Sequence, residues 1–315
     1  MPQLSKEIVD RNAAGQDPML NFKGMMVGNP GTTFYSIIPA GLDTYWGHQL
    51  ISKPLYEAFE ENCRNAPRFN MTVCEAYYVA MYREVGDLNP YALDYPVCHE
   101  DGTAAGRARK NGRSQRTWLM NHMLPGLFSN IVDNEGNDLQ LSAESEQTLG
   151  EIRKSIGLEP NGDYEPCAES YMTQYLNQAS VKEALHVKSD IEWADCSTSI
   201  RYKTGDRHHD MTPIYNYLID GKFGLDILVF SGDDDDVCAT IGTQDWIWDL
   251  GYEVAGRRWQ SYEVGGQVGG YLTKWKDTKL AFATVHGAGH EVPAYKPEVA
   301  LWLWDSYLKG ELTNA

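Results

Sequence analysis

From about residue 210 onward the sequence alternates short apolar runs with helical patterns, and each apolar run ends in a polar or glycine-rich loop. The run Ile227–Phe230 leads into Ser-Gly-Asp at positions 231–233, and the run Leu280–Val285 leads into Gly-Ala-Gly-His at positions 287–290. This alternation predicts an α/β layer structure. Ligands bind such sheets just beyond the carboxyl ends of the strands, so both loops are candidate site loops.

The rest of the chain divides by pattern. A helix near the start is followed by the apolar run Phe22–Val27, predicted as a strand that enters the turn Gly28-Asn29-Pro30. The pattern from about Thr32 to Arg207 is mostly helical. We therefore predict three parts: a core segment over 1–31, a helical insertion or cap domain over 32–207, and a core segment with both site loops over 208–315.

Two antiparallel strands are predicted around the glycines at 265–266 and 269–270. The last helix is predicted to begin at Pro297 and to end at Gly310. Its apolar positions at helical spacing predict one apolar stripe, formed by Ala300, Leu303, Trp304, Tyr307 and Leu308.

The net charge and the short apolar runs argue against some classes of function. The formal net charge is −17, which argues against nucleic acid as a partner because phosphate binding needs clustered lysine and arginine. No apolar run approaches the roughly 20 residues of a membrane helix. Residues 1–20 do not form a signal peptide, since Lys6, Glu7, Asp10 and Arg11 interrupt any apolar stretch. The sequence leaves the oligomeric state open and is compatible with a homodimer.

The cysteines indicate a compartment and not a metal site. None of the six forms a Cys-x-x-Cys pair, which disfavours a zinc ribbon. Dispersed cysteines and a glycosylation sequon at Asn70 favour the secretory pathway. The run His208-His209-Asp210 could supply metal ligands, but adjacent histidines on a loop are usually not a site. We predict no metal and no cofactor.

The two site loops carry acids and a histidine. Residues 233–236 are four consecutive aspartates, which form a solvated acidic turn in the simpler interpretation. His290 alone would most often be structural. Paired with an acid 55 residues upstream, however, it becomes a candidate base held by a carboxylate. In the α/β-hydrolase arrangement the triad follows the order Ser, Asp or Glu, His, with the last two after late strands.

Several segments resemble the serine carboxypeptidase family in the family's order. They are 24–30, 164–167, 175–177, 181–186, 193 with 196, 227–242, 265–271 and 285–293. The resemblance implies an α/β-hydrolase fold with a helical cap, and an enzyme that removes C-terminal residues from peptides at acid pH. It also implies a vacuolar, lysosomal or extracellular location.

Site residues follow from that resemblance. Asp235 matches the catalytic acid, Asp233 matches an acid outside the triad, and His290 matches the catalytic base. Glu291 matches a carboxylate that tunes activity towards acid pH. Cys238 matches a thiol that lines the substrate site in some members, although a small buried apolar residue is an equal interpretation.

The resemblance also implies disulfides. They are Cys63–Cys74 and Cys98–Cys167, with Cys196 left as an orphan thiol because its partner would lie in a part of the family that this chain does not match. The basic loop 107–116 falls between Cys98 and Cys167, and is either cleaved, as in several members, or merely solvated.

The family's nucleophile is not found by pattern. No Gly-x-Ser-x-Gly occurs in the chain, and residues 112–116, Gly-Arg-Ser-Gln-Arg, fail at the last position. The match therefore corresponds to the C-terminal two-thirds of the family, without the nucleophile elbow and oxyanion hole, and the chain is expected to be inactive alone. The alternatives are a related acyltransferase and a truncated binding protein without catalysis.

Overall fold

A computed structural model of the chain describes residues 1–66, 71–86, 88–97, 168–194 and 209–313. The chain forms two compact units. The first comprises Met1–Leu50, Pro90–Asp94 and Ile200–Ala315, and the second comprises Ile51–Asn89 and Tyr95–Ser199. The three-part division predicted from the sequence, with boundaries after residues 31 and 207, stays a prediction.

The first unit contains a five-stranded sheet. Its strands are β1 (Gly24–Gly28), β2 (Asp226–Gly232), β3 (Gln260–Val264), β4 (Gln267–Lys274) and β5 (Leu280–Val285). The order across the sheet is β1-β2-β5-β4-β3. Strands β1, β2 and β5 are parallel, while β4 runs antiparallel to both β5 and β3. The predicted strands and the predicted antiparallel pair are confirmed.

Register places the carboxyl ends of the three parallel strands side by side. Gly28 pairs with Phe230 at the end of β1, and Gly232 pairs with Val285 at the end of β2. Every residue of β5 is buried, which agrees with its continuous apolar sequence. The loops that follow β1, β2 and β5 therefore emerge along one edge of the sheet, where ligand sites of open α/β sheets lie.

Helices of the first unit pack around the sheet. They are α1 (Pro2–Ala13), α2 (Phe34–Gly47), α7 (Thr212–Asp220), α8 (Thr240–Trp248), α9 (Val292–Tyr295) and α10 (Pro297–Leu308). Helix α1 packs against α7, and α8 packs against α2. Val9 of α1, Tyr215 of α7 and Trp246 of α8 join strand residues such as Val229 and Phe282 in one apolar core.

The apolar stripe predicted for α10 is only partly buried. Leu303 is 1% exposed, but Trp304 and Leu308 are 53% and 64% exposed. The helix instead contacts β3, where the ring of Trp302 stacks on Tyr262 at 4.7 Å between centroids. Apolar spacing gives the helix correctly, but it does not decide which of several apolar residues face the sheet.

The second unit is helical in its described part. It includes α3 (Lys53–Phe59) continued by a π-helical turn (Glu60–Arg64), then α4 (Met71–Val85), α5 (Ala168–Leu176) and α6 (Ala179–Ala184). A disulfide joins Cys63 in the π-helical turn to Cys74 in α4, the pair that the resemblance implies. Among the described residues, no helix combines the length and the apolar character that crossing a bilayer demands.

Candidate active site

Asp235 lies in the loop after β2 and is fully buried. Its Oδ1 accepts a hydrogen bond from the backbone N–H of Val237 at 2.8 Å, and its Oδ2 accepts one from the backbone N–H of Cys238 at 3.2 Å. The side-chain amide of Asn29 donates to Oδ2 at 2.7 Å. These donors stabilise a negative charge that would otherwise be costly away from water.

His290 lies in the loop after β5 and faces the same carboxylate. Its Nδ1 is 2.8 Å from Oδ2 of Asp235. The backbone N–H of His290 donates to the carbonyl of Tyr91 at 2.7 Å, and the Tyr91 ring lies 5.4 Å from the imidazole. The predicted meeting of Asp235 and His290 is present in the structure, at the carboxyl ends of the adjacent parallel strands β2 and β5 of a mixed sheet.

The geometry fixes which nitrogen can act as a base. A carboxylate oxygen only accepts hydrogen bonds, so Nδ1 of His290 carries the proton that it donates to Asp235. In the neutral ring the lone pair is then on Nε2, on the side away from the carboxylate. About 29% of the His290 side chain is exposed, so the ring is not sealed in the core. A base of this kind can take a proton from a hydroxyl placed at Nε2.

The electrostatics of His290 favour its charged form. Burial alone lowers the pKa of the imidazole, but the hydrogen bond and charge of Asp235, with the charge of Glu291, outweigh burial and raise the pKa above 6.5. Glu291 is exposed and directly precedes α9. Its contribution is electrostatic, through the negative charge beside the base.

Asn29 and Tyr91 belong to this site and escaped the sequence analysis. Asn29 follows β1 in the left-handed conformation at φ 41°, donates to Asp235, and accepts a bond from the backbone N–H of Gly232 at 3.1 Å. The turn Gly28-Asn29-Pro30 marked the end of β1, and a polar residue at the end of a strand beside β2 was the usable signal. Tyr91 lies within the range predicted as helical insertion and gave no such signal.

The acidic run is not a solvated turn in the structure. Asp234, Asp235 and Asp236 are 1%, 0% and 5% exposed. Burial raises the pKa of Asp234 to about 7, although the backbone N–H of Asp94, which donates to both of its oxygens, opposes that rise. Asp234, Asp235 and Asp236 are therefore buried in the first unit, where the backbone N–H of Asp234 bonds to Ala288 in the loop after β5.

His48, Asp94 and Asp234 offer ligand atoms within 4.8 Å of one another, a spacing that a metal ion could use. The Nδ1 of His48 is 4.0 Å from Oδ1 of Asp234. The hydrogen bond from the Asp94 N–H gives the Asp234 carboxyl a partner without an ion, and no further observation points to a metal, so we assign none to this group.

The structure also describes Cys238 and Asp210, two further candidate residues from the sequence. Cys238 is half-buried, and burial raises the pKa of its thiol, which disfavours a thiolate nucleophile. Asp210 accepts bonds from the N–H and the hydroxyl of Thr212, the first residue of α7. Asn70, Cys98, Cys167, Cys196 and His208 lie outside the described residues, as does the basic loop.

Comparison with known proteins gives a consistent result. The family model described as serine carboxypeptidase matches residues 1–310. Serine carboxypeptidase 24 and serine carboxypeptidase-like 25 of Arabidopsis thaliana are 33% and 31% identical over 99% of this chain, and each match covers 59% of the plant protein. Serine carboxypeptidase II-1 of Hordeum vulgare is 28% identical, with 99% of this chain and 82% of that protein covered.

A solved structure shares the fold. The crystal structure of a prohormone-processing carboxypeptidase from Saccharomyces cerevisiae aligns with a TM-score of 0.59 at 17% identity. The alignment covers 98% of this chain and 59% of the yeast chain. The chain therefore spans about three-fifths of the length of that structure and of the two Arabidopsis proteins.

Proposed function

Because this chain belongs to the serine carboxypeptidase family, we propose that it supplies the acid and the base of a serine-type carboxypeptidase, which removes C-terminal residues from peptides. The observation that supports the proposal is the 2.8 Å contact between Nδ1 of His290 and Oδ2 of Asp235 at the carboxyl edge of the sheet. The fold and the order of acid and base along the chain agree with it.

In the proposed reaction Nε2 of His290 removes the proton from a serine hydroxyl as that oxygen attacks the scissile carbonyl. Asp235 holds the ring in the tautomer with Nδ1 protonated and stabilises the imidazolium. The imidazolium then gives its proton to the nitrogen of the departing C-terminal residue. In the second half of the reaction a water molecule replaces the serine hydroxyl as the attacking group, and His290 is again the base.

The serine itself is proposed to come from a segment outside these 315 residues. The chain contains no Gly-x-Ser-x-Gly, the element that presents the serine in this fold. An acid and a base without a nucleophile or an oxyanion hole stabilise no acyl-transfer transition state. We therefore expect negligible peptidase activity from the 315-residue chain alone.

A secretory compartment is part of the proposal. The Cys63–Cys74 disulfide supports an oxidising environment. An acid optimum needs a further condition, because the raised pKa of His290 favours imidazolium while the base must be neutral. Bound substrate, or the segment that carries the serine, would have to lower that pKa for activity in acid.

The message upstream of Met1 tests the proposal. We expect it to encode a Gly-x-Ser-x-Gly element and a signal peptide, and the product of that longer message to release the C-terminal residue from an N-blocked dipeptide. His290→Ala in that product should abolish release, and Asp277→Asn at an exposed turn should not. Release by the 315-residue chain alone, unaffected by His290→Ala, would contradict the proposal.

Two other outcomes have their own readouts. Transfer of the acyl group from a glucose ester to an alcohol, without peptide cleavage, would indicate the related acyltransferase. A mapped message that starts at Met1, giving folded, disulfide-bonded protein without esterase activity, would indicate a binding protein without catalysis.

A further inference from the structure

The loop that carries His290 has a second attachment to the loop after β2. Asp233 bonds two consecutive residues there: its Oδ1 accepts from the backbone N–H of Gly287 at 2.6 Å, and its Oδ2 lies 2.8 Å from Nδ1 of His286. Neither bond is to His290, the proposed base. It contacts the loop three and four residues before His290.

The two loops are joined step by step along their length. The backbone N–H of Asp233 donates to the carbonyl of Val285 at 3.2 Å, and that of Asp234 donates to the carbonyl of Ala288 at 2.9 Å. Asp235 then bonds the imidazole of His290. Three successive aspartates therefore fix the start, the middle and the end of the loop, and the side chain of Asp233 fixes the start.

Steric contacts leave the loop little room elsewhere. A Cβ on Gly232 would lie 2.3 Å from the carbonyl oxygen of Ala288, and a Cβ on Gly289 would lie 2.1 Å from that of Tyr91. Gly287, whose N–H bonds to Asp233, has φ +66°, the left-handed region that favours glycine. Glycine adopts this conformation without a side-chain penalty, and the bond to Asp233 holds the backbone at this turn.

We propose that Asp233 is a positioning residue that sets the orientation of His290 by holding the turn at Gly287, while Asp235 holds the ring. The Gly287 bond carries most of the effect, because His286 is 66% exposed and an exposed ion pair contributes little. This inference rests on the proposed role of His290 as the base. Its test needs no catalysis, so it fails or succeeds separately from the peptidase proposal.

The test uses the 315-residue chain labelled with ¹⁵N. Asp233→Ala removes both acceptors, and we expect the amides of Gly287 and His290 to exchange about tenfold faster or more, with a shifted or broadened Nδ1–H resonance of His290. Asp233→Asn keeps an acceptor for the Gly287 N–H and should restore most of the protection. His286→Ala should leave the Nδ1–H resonance of His290 at its wild-type position.

Lys279→Gln is the matched control. Lys279 pairs with Asp226 at 3.4 Å and bridges the same two strands at their opposite ends, so its loss should not affect His290. Unchanged exchange and an unchanged His290 resonance in Asp233→Ala would overturn the proposal, as would an equal change in Lys279→Gln. If Asp233→Ala does not fold, the wild-type chain decides: exchange of the Gly287 amide at its intrinsic rate overturns the proposal.

Discussion

Asp235 accepts hydrogen bonds from His290 and from Asn29 on the same oxygen, so one buried carboxylate joins the loops that follow β1, β2 and β5. The three residues are far apart in the sequence but meet because their strands are adjacent and parallel. Asp235 is therefore held by residues that follow β1 and β5 as well as by the backbone of its own loop.

Replacing Asp235 by Asn should weaken both the fold and the base. One of the two carboxylate oxygens becomes an NH₂ group, which cannot accept from the N–H donors now directed at it. We expect a loss of about 1–3 kcal/mol in the free energy of unfolding. The pKa of His290 should fall, since the charge that raises it is removed. Urea unfolding and NMR titration measure the two effects, and Asp277→Asn at an exposed turn serves as the control.

Glu291 should affect the titration of His290 without affecting stability to a comparable degree. Its negative charge is one of the causes that raise the pKa of the imidazole, so Glu291→Gln should lower that pKa. In the product of the longer message, the acid limb of kcat/KM should shift to lower pH, because the ring stays neutral further into acid. Glu298→Gln, on an exposed position of α10, should leave both measurements unchanged; a rise of the His290 pKa in Glu291→Gln would contradict this account.

Stability should fall as the pH rises from acid to neutral. Asp234 has a folded-state pKa of about 7 against an ordinary value of 3.8, so the folded chain holds a proton that the unfolded chain has released between those values. The bound proton makes the slope of stability against pH negative in that window. His290 acts in the same direction, because the stability from its raised pKa is present below 6.5 and is lost as the pH rises through the folded value.

The variant Asp234→Asn separates the two contributions. An asparagine oxygen can still accept from the Asp94 N–H, but the side chain carries no charge to bury. We expect a gain of roughly 2–4 kcal/mol at pH 8 and little change at pH 4, measured by urea unfolding. A variant that is less stable than the wild type at pH 8 would show that the Asp234 charge is favourable where it lies.

The sheet could be predicted from local signals, whereas the choice of Asp235 among four aspartates as the partner of His290 came from the family resemblance. Short apolar runs define β2 and β5, and each polar loop follows its strand directly. Asn29 and Tyr91 could not be predicted in the same way. Their roles depend on which strands are adjacent and on the return of Pro90–Asp94 to the first unit, and neither is encoded in nearby residues.

Burial of the acidic run was also beyond local reasoning. Four aspartates in succession favour solvent by their own chemistry. Their burial comes from the loop after β5, whose backbone meets Asp234 at Ala288, and from Asp94, whose N–H meets the carboxylate. Only the tertiary fold provides the Ala288 carbonyl that accepts from Asp234 and the Asp94 N–H that donates to it.

The disulfide in the second unit should contribute to its stability. Cys63 and Cys74 are 11 residues apart, and closing a loop of that length is worth about 2–3 kcal/mol in the chain-entropy description. The double variant Cys63→Ser, Cys74→Ser should lower the unfolding midpoint accordingly. A reducing agent should then lower the unfolding midpoint of the wild type and leave that of the double variant unchanged. An equal shift in both would show that the reducing agent does not act through the Cys63–Cys74 disulfide.

Gly289 should tolerate no side chain, although its backbone is not in the left-handed region. A Cβ there would lie 2.1 Å from the carbonyl oxygen of Tyr91 and 2.5 Å from Cβ of Ala92, and a backbone carbonyl cannot turn away as a flexible side chain can. That carbonyl also accepts the N–H of His290, so relief of the clash breaks the bond that anchors the base. We expect Gly289→Ala to cost about 2 kcal/mol or more and to move the His290 resonance. Gly47→Ala, where a Cβ meets nothing within 4 Å at the end of α2, should be neutral or slightly stabilising. If both variants behave alike, the close approach of the His290 loop to Tyr91 does not exist in solution, and the tight attachment of the base fails with it.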